Sequence, residues 1–255
     1  MALALNGGGS KGSYQAGVIW GWMHYGNPDD FQWDVVTGIS AGAINTGALS
    51  VWKKDDGLAM SEWLSDTWAG LHTRDIYVEW PGGLVWGLLE KSSIFDNRPL
   101  YQFLADRFAE FPEGVQRTSI VGTVDINNAE YLRFDGQKSA IEDWPTRIVS
   151  SASLPTLFIP DAIDGHICVD GGTAMGLDST SAVEACLDKV GGDQSKVTVD
   201  VILLDRFNAP PEKTDLGDTV SNIMREHSVK QYYHGLENVI QTQVRYPGVN
   251  YRYLV

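Results

Sequence analysis

Hydrophobic and polar positions along this chain follow a strand–helix rhythm from the first residues. Ala2–Leu5 is a short apolar run that stops at Gly7-Gly8-Gly9. Val18, Ile19, Trp22 and Met23 then recur at helical spacing across residues 13–25. Residues 33–37 (WDVVT) form a compact β-rich run, and 41–52 again carry a helical pattern after Gly38-Ile39-Ser40-Ala41-Gly42. Further along, Asp96 or Asn97 can cap a helix with Pro99 in its first turn, continued by Leu100, Phe103, Leu104 and Phe108. Residues 119–125 and 197–204 read as buried strands and 131–134 as a strand of a hairpin. Val183, Cys186, Leu187 and Val190 mark an amphipathic helix. A long helical stretch spans about 215–242, with Val220, Ile223, Met224, Leu236, Val239 and Ile240 as its apolar positions. The 208–211 segment, Asn-Ala-Pro-Pro, reads as a loop. Strands alternating with helices predict βαβ units and an α/β fold, a mainly parallel central sheet with helices on both faces.

Composition narrows this picture. The 255 residues, 43% of them hydrophobic, suffice for one large α/β domain over 1–255 with a substantial core. A net charge of −14, with no run of Lys or Arg, disfavours nucleic acid and docking on strongly anionic lipid, and leaves neutral and zwitterionic partners open. The two cysteines, Cys168 and Cys186, read as reduced, partly buried thiols rather than a disulfide framework. No stretch reaches the roughly 18 apolar residues of a transmembrane segment. Met1 leads directly into a strand-like run instead of a signal peptide, which points to a cytoplasmic or peripheral membrane protein.

Two glycine motifs carry the candidate chemistry. Residues 7–12, GGGSKG, match G-x-G-x-x-G between a strand and a helix, where converging N–H groups and the helix dipole favour negative charge. That charge is either a pyrophosphate or a transient oxyanion. Ser13 follows Gly12 where a P-loop needs Lys, and Asp34 begins the second strand where a dinucleotide site wants an acid at its end. Residues 38–42, GISAG, match G-x-S-x-G, again between strand and helix, and place Ser40 on a nucleophile elbow with Gly38 and Gly42 flanking it. A serine hydroxyl needs a base. The order Ser40, Asp170, then His227 or His234 satisfies the chain order of an α/β-hydrolase triad, but only one strand and one helix precede this elbow, and both histidines lie in a polar helical stretch. Asp170 ends the apolar run 167–169 and is followed at once by Gly171-Gly172, so its carboxylate can approach another loop closely.

Taken in order, GGGSKG at 7–12, GISAG at 38–42 and DGG at 170–172 resemble the patatin-like phospholipase family, with SSIFDNRPL at 92–100 and SSASLPTLFIPD at 150–161 as supporting stretches over residues 2–205. The resemblance implies a three-layer α/β/α fold and a Ser–Asp dyad, with Ser40 as nucleophile and Asp170 as base. The oxyanion hole falls to backbone N–H groups of Gly8 and Gly9, then Ser10 and Lys11; Gly7, Gly12, Gly38, Gly42, Gly171 and Gly172 are the motif glycines. It implies no metal and no cofactor, and a lipid substrate at a membrane or micelle surface. Glycerolipid esters, phospholipids first among them, are the expected substrates. A Ser–Asp–His esterase or thioesterase and a non-enzymatic nucleotide-binding module are the alternatives. The apolar segment 76–95, with Trp80, Leu84, Val85, Trp86, Leu88, Leu89, Ile94 and Phe95, reads either as an acyl-chain wall or lid at the lipid interface or as an ordinary core helix.

Overall fold

The computed structural model describes residues 1–204 and 217–255; the 208–211 loop and the first residues of the long helical stretch lie outside them. The described residues form β1 (Ala2–Leu5), α1 (Gly12–Tyr25), β2 (Val35–Gly38), α2 (Ala41–Ser50), α3 (Gly57–Gly70), the one-turn α4 (Thr73–Ile76), β3 (Val78–Glu79), α5 (Gly83–Glu90), β4 (Phe95–Asp96), α6 (Arg98–Phe108), β5 (Thr118–Asp125) and β6 (Glu130–Asp135). They continue through α7 (Trp144–Ser151), β7 (Asp161–Ile163), β8 (His166–Asp170), α8 (Ser179–Lys189), β9 (Thr198–Ile202), α9 (Thr219–Arg245) and β10 (Asn250–Leu254).

The main sheet has the order β10-β9-β1-β2-β5-β8-β7, with β6 also paired to β5. The first five of these run parallel, as the strand–helix rhythm predicts, while β6 and β8 lie antiparallel to β5 and β7 antiparallel to β8. Alternation along each central strand sends side chains to two different cores. Ala2, Ala4, Val199 and Val201 face Ala182, Val183 and Cys186 of α8 and Val239 of α9. Leu3, Leu5, Val36 and Ile202 face Ala16, Ile19 and Met23 of α1 and Met60 and Leu64 of α3. A third cluster joins Leu100, Leu104 and Phe108 of α6 to Trp144, Ile148 and Val149 of α7. The result is a three-layer α/β/α arrangement. Both cysteines are buried and free.

The central strands are hydrophobic on both faces because helices cover both. α9 differs from its expected pattern. Ile240 is 53% exposed and Met224 38%, while the buried side is lined by Gln231, Gly235, Asn238, Val239 and Thr242. Its docking is therefore largely polar: Asn238 Oδ1 accepts from Ser179 N at 3.0 Å at the start of α8, and Thr242 Oγ1 lies 2.8 Å from Ser179 Oγ. α5 is not a core helix. Leu84, Val85, Trp86, Leu88 and Leu89 are all exposed, and only Gly87 is buried, against Trp80 and Ile94.

Candidate functional site

β5 is the template on which the site is assembled. Its edge opposite β6 pairs first with β2, Gly38 standing opposite Val121, and then with β8, Asp170 standing opposite Thr123. β2 and β8 run in opposite directions along that edge, so their C-terminal ends meet head to head with only Gly122 between them. The elbow after β2 and the Asp-Gly-Gly turn after β8 are thereby brought together. A Cβ on Gly171 would overlap the Gly122 carbonyl and lie 3.1 Å from Ile39 Cγ2, so the turn packs directly against the residue before Ser40.

Ser40 has φ 56 and ψ −122, a left-handed conformation that a non-glycine residue adopts only when its surroundings enforce it. Here they do. Gly38 packs on the Gly42 carbonyl and Thr46, and Gly42 packs on the carbonyls of Leu5 and Asn6, at distances that leave no room for a side chain at either position. The Ser40 N–H donates to Ser151 Oγ at 3.0 Å, and the Ser151 hydroxyl in turn donates to the Gly122 carbonyl at 2.5 Å. Two residues on, the Ser153 carbonyl accepts from the Asp170 N–H at 2.9 Å. The end of α7 thus holds both halves of the site. The sequence reading marks this stretch only as a family landmark; Ser151 itself carries no local signal.

Asp170 is buried, and its Oδ1 accepts from the Gly172 N–H at 2.7 Å. Two α9 side chains reach the same carboxylate: Gln231 Nε2 lies 3.5 Å from Oδ1, and His227 Nε2 lies 3.5 Å from Oδ2. His227 is therefore part of the site and not on a solvated helix face, as its polar surroundings in sequence suggest. His234 is 7 positions further along the same helix and has no such contact with Asp170.

The glycine loop stands beside the elbow. A Cβ on Gly12, the first residue of α1, would lie 3.1 Å from Ala41 Cβ, the residue after Ser40. Gly9 has φ 60, a value that favours glycine, and Gly9 and Ser10 are exposed in a tight turn ahead of α1. The Lys11 N–H donates to the Gly8 carbonyl at 3.3 Å within that turn. Nearby, burial pushes the Asp161 carboxyl up to about 6 against hydrogen bonds from Tyr101 and Ser153 that pull it down. A depression of about 310 Å³ lined by Asp34, Lys54 and Arg117 belongs to the opposite end of the sheet, before β2 and β5 begin; the Arg117 guanidinium there is spent on the Trp52 and Trp33 carbonyls. Among the described residues, no cluster of three or more His, Cys, Asp or Glu could hold a metal ion, and no helix is long and apolar enough to cross a membrane.

Comparison with known proteins agrees with the resemblance drawn from the motifs. A family model described as Patatin-like phospholipase matches residues 3–182, which include both loops, the elbow and the Asp-Gly-Gly turn. No curated protein matches the chain. Among solved structures, VipD from Legionella pneumophila aligns with 14% identity and a TM-score of 0.46 over 88% of this chain and 52% of VipD, so the chain spans about half of that protein's length.

Proposed function

Because the chain belongs to the patatin-like phospholipase family, a membership that supports lipid acyl hydrolysis generally, we propose that it cleaves carboxylic esters of glycerolipids through a Ser40 acyl-enzyme with Asp170 as base. The observation that carries this reading is the head-to-head meeting of β2 and β8 on one edge of β5, which sets the elbow serine beside the Asp-Gly-Gly turn.

In the proposed cycle Ser40 Oγ attacks the ester carbonyl while Asp170 takes its proton. Negative charge gathers on the carbonyl oxygen, where the N–H groups of Gly8, Gly9 and Ser10 and the N-terminus of α1 favour it. The tetrahedral adduct collapses, the C–O bond breaks, and Asp170 returns the proton to the leaving alcohol. Water then attacks the acyl-enzyme with Asp170 again as base, releasing the fatty acid and restoring Ser40. Phospholipids with zwitterionic head groups, cut in the manner of a phospholipase A or lysophospholipase, fit a chain of charge −14 better than anionic lipids do.

One observation favours a second reading. His227 lies 3.5 Å from Asp170, and a Ser–Asp–His relay would use it as the base with Asp170 behind it. Its Nε2, however, faces the carboxylate and lies 2.5 Å from Gln231 Nε2, so Nδ1 would have to serve Ser40. Mutation decides between them. Ser40→Ala and Asp170→Asn should abolish hydrolysis of phosphatidylcholine and of a soluble nitrophenyl ester, and Ser40→Ala should lose fluorophosphonate labelling, while His227→Asn keeps most activity. A folded but inactive His227→Asn would transfer the base role to histidine. A wild-type chain that neither labels nor hydrolyses would return the glycine loop to the nucleotide-binding alternative.

A further inference from the structure

We infer that Gln231 is a positioning residue for the Asp170 carboxylate, and that α9, which lies beyond the residues matched to the family, is a working part of the catalytic centre. The inference rests on the Ser40–Asp170 reading above.

A glutamine with no exposed surface is costly to bury unless its amide is used. Asn238 and Thr242, on the same buried side of α9, meet Ser179 at the start of α8, with the Asn238 Nδ2 turned to Met175 Sδ. Gln231 spends its amide on the active site. Its Nε2 lies 3.5 Å from Asp170 Oδ1 and 2.5 Å from His227 Nε2, and its Oε1 is buried against the glycine loop without a partner. A Cβ on Gly7 would overlap Oε1, and a Cβ on Gly172 would overlap Nε2. Neither glycine has a positive φ, so what each provides is room for this one side chain. Gln231 thus fills the notch between the glycine loop and the Asp-Gly-Gly turn, the two loops whose spacing sets the distance between base and oxyanion donors.

The amide orientation follows from charge. With Asp170 ionised, the NH₂ end must face it, since the carbonyl end would repel the carboxylate. The same nitrogen also lies 2.5 Å from His227 Nε2, so Gln231 stands between the carboxylate and the imidazole. Gly172 N and Gln231 Nε2 both face Oδ1 and His227 Nε2 faces Oδ2, so the carboxylate is held from both sides.

The test uses the full chain and a soluble nitrophenyl ester, so that lipid binding does not enter. Gln231→Leu keeps the bulk and removes the donor. It should lower kcat by about 10- to 100-fold with KM little changed, the scale expected when a reacting group is misplaced by up to an ångström. Gln231→Glu keeps the shape but sets a second carboxylate beside Asp170. Its activity should be depressed at pH 8 and recover as pH falls, because the protonated Glu side chain can donate to Asp170 as the amide did. Merely filling space at this position would leave kcat of the Leu variant, which keeps the bulk, where it was. Wild-type kcat in the Leu variant together with a wild-type pH profile in the Glu variant would overturn the inference. If Gln231→Leu does not fold, Gln231→Met, which keeps the length of the side chain without the donor, decides in its place. A wild-type chain inert to fluorophosphonate would remove the Ser40 reading, whereas a wild type that labels and turns over beside unaffected Gln231 variants removes only this inference.

Discussion

Ser40 is held in a conformation that costs an L-residue roughly 1–3 kcal/mol, and the strain has to be balanced by neighbours. Ser151 is the neighbour with a direct grip, accepting from the Ser40 N–H and donating to Gly122. Ser151→Ala leaves a buried N–H and a buried carbonyl unpaired, which should destabilise the fold by about 2 kcal/mol and lower kcat together with it. Ser150→Ala is the matching control, since the Ser150 hydroxyl only closes back on the Arg147 carbonyl in its own helix. Denaturant melts and ester kinetics of the pair check this; equal effects from both would mean that Ser151 contributes no more than ordinary packing. At this scale the sequence is informative where chemistry is written locally. The elbow serine, the glycine loop and the Asp-Gly-Gly turn each declare themselves within five or six residues. Ser151, His227 and Gln231 do not, because they act across 57 to 111 positions of chain and carry no motif of their own.

At the scale of elements, periodicity predicts α1, α2, α6, α8 and the central strands to within a few residues, does not mark α3 or α7, and misjudges which side of a helix is buried when that side is polar. α9 is the case in point, since, Val239 apart, its seam is built from Gln231, Asn238 and Thr242 and not from the apolar positions that the helical spacing selects. β10, with the sequence NYRYL, escapes notice because an edge strand with exposed side chains has no apolar run. α5 gives the opposite lesson: it has the composition of a core helix and the exposure of a surface one. Leu89 is 73% exposed and Val85 69%, a concentration of apolar surface on one short helix. The segment that follows pairs Ile94 N with the Thr156 carbonyl and Phe95 N with that of Leu157, and the 153–157 stretch leads back to Asp170 through the Ser153 carbonyl. On the lipid-hydrolase reading proposed above, the partner expected of such a face is the lipid surface. Trp80 is not part of that face, because its indole N–H is bound to the Ser93 carbonyl and its ring lies under Lys91 and Arg98. Leu88→Asp/Leu89→Asp should therefore abolish co-sedimentation with phosphatidylcholine vesicles while leaving soluble-ester kcat intact, and a Trp80→Ala change should not reproduce it. Vesicle binding that survives the double substitution would refute the docking role.

For the whole molecule, the first strand lies inside the sheet and the last at its edge, and each is held there by an ion pair. The Met1 amino group binds Asp34 at 2.8 Å, just before β2. Arg252 of β10 reaches Asp200 of β9 at 2.6 Å, and Asp200 also accepts from the Trp33 indole N–H at 2.7 Å. Asp200 has no exposed surface, so its charge is tolerated only because Arg252 and Trp33 meet it. Removing the guanidinium strands a carboxylate between the C-terminal strand, the central sheet and the segment leading to the Ser40 elbow. Arg252→Ala should cost about 3 kcal/mol, the lower end of what breaking a buried pair costs, since the arginine itself is partly exposed. If residues 1–255 form one folding unit, that loss moves the entire unfolding curve, and circular dichroism at 222 nm, tryptophan emission and loss of esterase activity shift together in denaturant. A chain made of two independent units would split instead: the C-terminal part would unfold early while Ser40 kept its reactivity toward fluorophosphonate. Retention of labelling after the first of two transitions would therefore show that α9 and β10 are dispensable to the catalytic centre, the reverse of what their contacts with Asp170 and Asp200 lead one to expect.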